Sequence, residues 1–397
     1  MLRRTLVFAF LLIPAAAAQA TAPMNPGGWG QLAGSVPAMV GAAGVAVTPD
    51  GAQVLVAGGT DAFTFYGHGE GFGGLSVLNR DAGSGALTQL QCISSDGSDS
   101  AGNLTCDPAT ALNGANAVAV SQDGVAVAVA STGAGSITMF ARDAATGKLS
   151  EVACAQQSVP LNGRCRQAPT LDGVSALVFT PDGRDLLAID PPHNALVDLH
   201  RDDEGVTHIQ CFSASGTSGG CMRMPRLNGI DAIAVSADGG QVYLRSAAGV
   251  TWLARDLASG ALSPGGCVNP DRDGDACPAA PAADPYGYGF TYGTYASGGH
   301  ALVLSPDGTS LYTGLNDELR AFRRDADGTL HAAECYVAAE VPSDDTTGDE
   351  TLDESDDESE GTADAAQAGA CTPIDAFDAP RVLAITPDGS TLFAASY

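Results

Sequence analysis

The sequence predicts an all-β protein of the β-propeller class, because two kinds of hairpin alternate along the chain. AVAVSQDGVAVAVAS at residues 117–131 has an Asp-Gly pair between two apolar runs. Such a pair is typical of a β-hairpin, since Asp tolerates positive φ angles and Gly adopts them freely. A second hairpin with an Arg-Asp turn follows, as in ITMFARDAATGKLSEVAC at 137–154. Together they make four strands, and tandem repetition of this unit predicts propeller blades.

The first hairpin occurs six times and the second five times. The six copies of the first hairpin cover residues 44–58, 117–131, 176–190, 232–246, 301–315 and 382–396. Propellers often close by completing one blade from both ends of the chain, and residues 29–35 are the natural donor of a strand. We therefore expect six blades, of which five are complete and one is closed by both termini. Seven blades are expected instead if the chain is truncated.

The N-terminus has the features of a secretory signal peptide. Arg3 and Arg4 precede an apolar run over residues 6–13, and Ala18 and Ala20 form a small-residue cleavage site. No later run reaches the roughly 20 apolar residues that a membrane-spanning helix needs. We expect a signal peptide at residues 1–20 and one propeller domain at 21–397, in the periplasm or outside the cell. An uncleaved N-terminal anchor is the alternative.

The chain is strongly acidic, with a formal net charge of −28. Such a surface repels phosphate backbones, so a nucleic-acid partner is not expected. Many of the carboxylates fall in a tract at 341–366 that has no basic and few apolar residues. This composition predicts a disordered acidic insertion, with weak divalent-cation binding as the functional alternative. The partner is then an unknown protein or small molecule, and the chain is expected to be a monomer.

Ten cysteines repeat with the hairpins. In each unit one cysteine ends the second hairpin, and another precedes the next unit. An even number of cysteines in an exported chain predicts disulfides, and only sequential pairing treats all units alike. The predicted pairs are Cys92–Cys106, Cys154–Cys165, Cys211–Cys221, Cys267–Cys277 and Cys335–Cys371. A zinc site is not expected, because the two-residue spacing of zinc knuckles is missing.

The connections of a four-stranded blade fall on two rims. Links between strands two and three, and between blades, should share one rim, which also carries the insertions at 58–74 and 278–300. Binding residues favour loops on a rigid scaffold, so this loop-bearing rim is the predicted working face. Its catalytic candidates are His68, Glu70, His193, Asp317 and Glu318, with Asp61 and Asp190 as further titratable groups. Closely spaced carboxylates give calcium candidates at Asp271, Asp273 and Asp275.

The Arg-Asp pairs are expected to be structural, because they recur in all five complete units, from Arg80-Asp81 to Arg324-Asp325. The aspartate should accept hydrogen bonds from the turn backbone, while the arginine stem lies along the sheet. His200 and His331 adjoin these turns, so a structural role is expected for them too.

The motifs resemble those of the YVTN-repeat and lactonase-like family of exported bacterial β-propellers. Ser305-Pro306-Asp307-Gly308 and FARDAATGKL at 140–149 carry the resemblance, which extends over roughly residues 44–397 apart from the acidic tract. It implies a propeller distantly similar to 6-phosphogluconolactonase, usually seven-bladed, and a possible hydrolysis of cyclic esters. The favoured function is a binding or interaction scaffold that acts through the loop-bearing rim. The alternative is a lactone hydrolase. No cofactor is expected unless calcium binds.

Overall fold

In a computed structural model, the described residues form six β-sheets. The structure describes residues 41–59, 73–99, 103, 105–158, 165–202, 205–216, 219–246, 249–269, 302–315, 318–338, 371–374, 382–386 and 388–395. The predicted signal peptide, the donor segment at 29–35 and the acidic insertion at 341–366 lie outside these ranges. Within them, no helix has both the length and the apolar character that crossing a membrane would require.

Each complete sheet contains four antiparallel strands in chain order. The first comprises β1 (Ala42–Val47), β2 (Gln53–Gly59), β3 (Gly73–Arg80), β4 (Leu87–Ser94) and β5 (Asp107–Pro108). The second comprises β6 (Ala115–Val120), β7 (Ala126–Ser131), β8 (Ser136–Arg142), β9 (Leu149–Gln156) and β10 (Arg166–Gln167). The third comprises β11 (Ala176–Phe179), β12 (Asp185–Asp190), β13 (Ala195–Asp202), β14 (Gly205–Ser213) and β15 (Met222–Arg223).

The fourth and fifth sheets follow the same plan, whereas the described part of the sixth sheet has two strands. The fourth comprises β16 (Ala232–Val235), β17 (Gln241–Ser246), β18 (Gly249–Arg255) and β19 (Leu262–Val268). The fifth comprises β20 (Leu302–Leu304), β21 (Ser310–Leu315), β22 (Glu318–Arg324), β23 (Leu330–Ala338) and β24 (Thr372–Ile374). The sixth comprises β25 (Val382–Ile385) and β26 (Leu392–Ala395). Single 3₁₀ turns lie at Pro191–His193 and Pro225–Leu227.

The sheets are stacked around an axis as propeller blades. The first strands of consecutive sheets contact one another, so they form the innermost layer. Apolar clusters fill the space between each pair of sheets that are consecutive in the chain. The second strands β7 and β12 are buried along their whole length, because both of their faces meet other sheets. The predicted all-β propeller and its two hairpins per blade are confirmed.

The Asp-Gly turns differ from the sequence expectation in one detail. Gly51 has a positive φ of 66°, whereas Asp50 does not, and the Gly51 N–H donates to the Thr48 carbonyl. The aspartate instead accepts hydrogen bonds from the Thr48 hydroxyl at 2.5 Å and the Ala52 N–H at 3.0 Å. Each turn is therefore a hydrogen-bonded four-residue turn closed by a left-handed glycine, and only the glycine needs positive φ.

The Arg-Asp turns contact the Asp-Gly turn of the preceding sheet. Asp143 accepts from the Thr146 N–H at 2.7 Å, which confirms the predicted role of the aspartate. The neighbouring Arg142, however, crosses between sheets, with Nη2 2.8 Å from Asp50 and Nε 2.6 Å from the Gln53 side-chain oxygen. The two classes of turn therefore lie together on one rim, as predicted, and the arginines clamp successive blades.

The disulfides attach a short fifth strand to four of the sheets. Four predicted pairs are present, namely Cys92–Cys106, Cys154–Cys165, Cys211–Cys221 and Cys335–Cys371. Cys267 is also disulfide-bonded, while its predicted partner Cys277 lies outside the described residues. In each of the four pairs, one cysteine lies in the fourth strand and the other directly precedes the parallel fifth strand. The fifth strands, only two or three residues long, were too short to predict from hydrophobic patterning.

Candidate functional site

A cluster of three titratable side chains lies at the third blade, around the predicted site residue His193. Asp190 ends β12, and two prolines then start the single 3₁₀ turn that carries His193. Asn194 closes this turn in the left-handed conformation, with φ of 49°. Its side-chain oxygen accepts from the Gly229 N–H at 2.5 Å, which ties the loop to the next blade. The histidine is therefore held by a short, conformationally restricted link.

Asp172 reaches the same cluster from the link between the second and third blades. Its Oδ1 lies 3.2 Å from His193 Nδ1. Asp190 places Oδ1 and Oδ2 at 3.0 and 3.1 Å from the same nitrogen. A strand-two-to-three link and a between-blade link thus meet at one point. This contact confirms that both kinds of link share a rim, opposite the turns that the arginines clamp.

The two carboxylates determine the tautomer of His193. An ionised carboxylate only accepts hydrogen bonds, so the proton on the imidazole must lie on Nδ1. Nε2 then keeps its lone pair and can accept a proton, the arrangement that a general base needs. The His193 side chain is 34% exposed, so a small molecule can approach the ring.

Asp190 is fully buried beneath the histidine. Burial raises the pKa of the Asp190 carboxyl, the hydrogen bonds and charge of His193 lower it, and the nearby Asp172 carboxylate raises it again. The net direction is upward. Gly173 makes room for this carboxyl, because a Cβ atom at position 173 would lie 2.6 Å from Asp190 Oδ1.

The cluster supports two kinds of chemistry. An aspartate on Nδ1 and a free Nε2 suit a histidine that removes a proton from water. Alternatively, ligand atoms of Asp172, Asp190 and His193 all lie within 4.8 Å of one another, close enough to hold a metal ion. Two carboxylates and one imidazole are common ligands of divalent metals such as zinc.

Glu318 does not join this cluster. It begins β22 in the fifth sheet, and its Oε2 accepts from Arg320 Nε at 2.6 Å. It also lies beside the Cys335–Cys371 pair, but disulfide sulfurs cannot act as thiolate ligands for a metal. The predicted catalytic role of Glu318 therefore gains no support, and its contacts are those of a structural residue.

Several predicted candidates lie outside the described residues. These are Asp61, His68, Glu70, Asp317 and the calcium candidates Asp271, Asp273 and Asp275. The predicted structural histidines are both paired on the opposite rim. His200 Nδ1 lies 3.0 Å from Asp185, and His331 Nε2 lies 2.8 Å from Asp325.

Asp172 was missed because the catalytic candidates were taken from the strand-two-to-three links only. A signal for it exists in the repeat. LNGANA at 112–117, LDGVSA at 171–176 and LNGIDA at 227–232 align, and Asp172 is the one acid where the other two copies have asparagine. An acid that replaces a repeated neutral residue, one position before Gly173, marks the third blade as specialised.

A second feature is an open cleft of about 350 Å³ between the outer strands of the first and second sheets. Ile93 and Phe140 supply apolar walls, while Asp107, Lys148 and Glu151 supply charges. Lys148 is the sole lysine of the chain. The cleft lies between β4–β5 and β8–β9 on the circumference, whereas sequence analysis expected binding on the loop-bearing rim.

Comparisons with known proteins agree with the fold. Residues 60–163 match the model of the "Lactonase, 7-bladed beta-propeller" family. A putative 6-phosphogluconolactonase from Bacteroides fragilis is similar in structure, with a TM-score of 0.51 and 18% identity, over 89% of this chain and 76% of that one. A periplasmic gluconolactonase from Pseudomonas aeruginosa matches with a TM-score of 0.46 and 20% identity, over 74% and 71% of the two chains. No curated protein sequence matches this chain. The match over residues 60–163 agrees with the resemblance that the repeats predict, and the similar solved structure agrees with the β-propeller fold.

Proposed function

We propose that this protein hydrolyses a cyclic ester, with His193 as the general base. The observation that carries the proposal is the pairing of fully buried Asp190 with His193 Nδ1. In this arrangement Asp190 orients the ring, and Nε2 removes a proton from the water that attacks the lactone carbonyl. Asp190 also stabilises the imidazolium that results. The imidazolium then returns this proton to the ring oxygen as the acyl C–O bond breaks, so the product is an open-chain hydroxy acid. The match of residues 60–163 to a lactonase family supports the choice of a lactone over other esters.

The test is turnover of a sugar δ-lactone and of δ-valerolactone, followed by acid release at constant pH. We expect His193→Gln to lower kcat about 100-fold or more, because general-base catalysis contributes at least that much. Asp190→Asn should act in the same direction, since it removes the charge that holds the proton on Nδ1. Gly173→Ala should impair the reaction through the displacement of Asp190.

The matched control is His331→Gln, which removes a histidine paired with a carboxylate on the opposite rim. It should leave turnover unchanged. Turnover that survives His193→Gln would refute the assignment of the base. If the unmodified protein gives no turnover of either lactone while it remains folded, the proposal of lactone hydrolysis fails for these substrates.

A chelator distinguishes a histidine general base from a bound metal ion that activates water. A histidine base predicts turnover that is insensitive to EDTA. If EDTA abolishes turnover and zinc or calcium restores it, Asp172, Asp190 and His193 act as metal ligands, and the metal activates the water.

A binding scaffold is the second candidate function, and the cleft between the first two sheets favours it. Apolar walls with a few charged groups are typical of ligand sites. The charges of Asp107, Lys148 and Glu151 would select a small polar ligand with groups of both signs. Lys148→Ala should weaken capture of such a ligand and leave lactone turnover unchanged.

We also infer that the protein is exported and that six blades close the ring. The disulfides support export, because such bonds persist in oxidising compartments. The six sheets among the described residues support six blades, whereas the matched family is described as seven-bladed. An experimental density map of the complete ring would decide between the two numbers.

A further inference from the structure

The contact between the third and fourth sheets contains a fully buried carboxyl group at Asp198. Asp198 lies on β13 two residues after Leu196, which packs against the fourth sheet in an apolar cluster. Its position is apolar in all the other complete units. The equivalent residues, counted back from the Arg-Asp turn, are Val77, Met139, Trp252 and Ala321. An acid has therefore replaced an apolar residue at one joint of the propeller.

The cation at this joint is already bound to other carboxylates. Arg255, from β18 of the fourth sheet, donates Nε to Asp185 at 3.0 Å and Nη2 to Asp182 at 2.9 Å. Asp185 also contacts His200 Nδ1 at 3.0 Å. On the other flank of β13, the Gln210 side chain is bound to the backbone of Leu262.

Neither oxygen of Asp198 has a hydrogen-bond partner among the described residues. A buried carboxylate without a partner is costly, because the charge has lost its water and gained nothing in return. Burial, followed by the negative charge of Asp185, raises the pKa of Asp198 to about 8, although Arg255 lowers it somewhat. The neutral acid is the form that this environment tolerates.

We propose that Asp198 is a proton-binding site between the third and fourth sheets, and that loss of its proton loosens this joint. The titratable and charged groups that face it from the neighbouring elements are Asp182, Asp185, His200 and Arg255. Three carboxylates thus share one guanidinium. Ionisation of Asp198 adds a charge that this guanidinium cannot neutralise.

The direction of the pH effect follows from proton counting. In the unfolded chain Asp198 releases its proton near pH 4, whereas the folded chain holds it until about pH 8. Between these values the folded state binds the additional proton. The free energy of unfolding therefore decreases as pH rises through this window and levels off above it.

The experiment compares thermal midpoints of the full chain and its Asp198→Asn and Asp198→Val variants between pH 5 and pH 9. Between these limits the midpoint of the unmodified protein should fall by roughly 5 °C, as a shift of several pKa units implies for a domain of this size. Both variants should lose this dependence and be the more stable proteins at pH 9. The asparagine side chain has nearly the same shape as that of aspartate, so the midpoint of Asp198→Asn can be measured even if Asp198→Val does not fold.

His200→Gln distinguishes Asp198 from the neighbouring histidine, and this variant should keep the slope. A flat midpoint in the unmodified protein, or a slope that persists in Asp198→Asn, would overturn the proposal. Hydrogen exchange at pH 8.5 tests the location. Amides of β13 and β18 should exchange faster in the unmodified protein than in Asp198→Asn, while β7 and β8 of the second sheet exchange equally. Equal exchange at β13 and β18 would also overturn it.

Discussion

Replacement of Arg255 by alanine should lower the free energy of unfolding by about 3–5 kcal/mol, the usual effect of removing one partner of a buried ion pair. The Arg255 and Asp185 side chains are each only 1% exposed. Burial alone would lower the pKa of Arg255, but the hydrogen bonds that it donates to Asp185 and Asp182, together with their negative charges, outweigh burial and raise that pKa. Without the guanidinium, Asp185 would be left charged between two sheets. Thermal unfolding should show a midpoint lower by roughly 5 °C.

Two further variants make this prediction specific. Arg323→Ala removes an exposed arginine, 61% exposed and paired with Asp325 on the same strand end, and should change stability by less than about 0.5 kcal/mol. The double variant Asp185→Asn/Arg255→Ala should recover part of the free energy of unfolding that Arg255→Ala loses, because it removes the unpaired negative charge of Asp185. If Arg255→Ala and Arg323→Ala have the same thermal midpoint, the ion pair between Arg255 and Asp185 does not stabilise the contact between the two sheets.

The architecture was readable from the sequence because it repeats. Six Asp-Gly hairpins and five Arg-Asp hairpins predict the strands, and the equivalent cysteines predict the pairing of the disulfides. Even the division into two rims follows from chain order alone. Each of these inferences needs only residues close together in the chain, or the comparison of one unit with the next.

Only part of the candidate site could be predicted from the sequence. His193 and Asp190 are three residues apart, so their proximity could be expected, whereas Asp172 approaches from a different link. The contacts of Arg142 with Asp50 and of Arg255 with Asp185 join residues of neighbouring sheets that are far apart in the chain. Distances across an interface depend on how the sheets pack, which hydrophobic periodicity does not report.

Departures from the repeat turned out to be informative. Asp172 stands where two other units have asparagine, and Asp198 stands where four have apolar residues. Both lie at the third blade, which also carries Asp190 and His193. These departures from the repeat thus lie together at one blade. They include the titratable groups to which we assign catalysis and proton binding.

Removal of a single disulfide should destabilise the protein by about 3 kcal/mol, the chain-entropy value for a loop of ten to fifteen residues. Cys154 and Cys165 are 11 residues apart and close such a loop. The attached strand β10 pairs with β9 through two residues, both exposed. Cys154→Ala combined with Cys165→Ala should therefore release β10 and lower the thermal midpoint by several degrees.

The Cys335–Cys371 pair tests whether loop length governs the effect. It spans 36 residues, for which the same model gives about 4 kcal/mol. Its removal should cost more than removal of Cys154–Cys165, provided that the unfolded chains behave as random coils. Thermal unfolding of the two double-alanine variants, measured in parallel, gives the comparison. Equal midpoints would show that strand attachment, which both pairs provide, matters more than loop entropy. Midpoints equal to that of the intact protein would contradict a stabilising role for either bond.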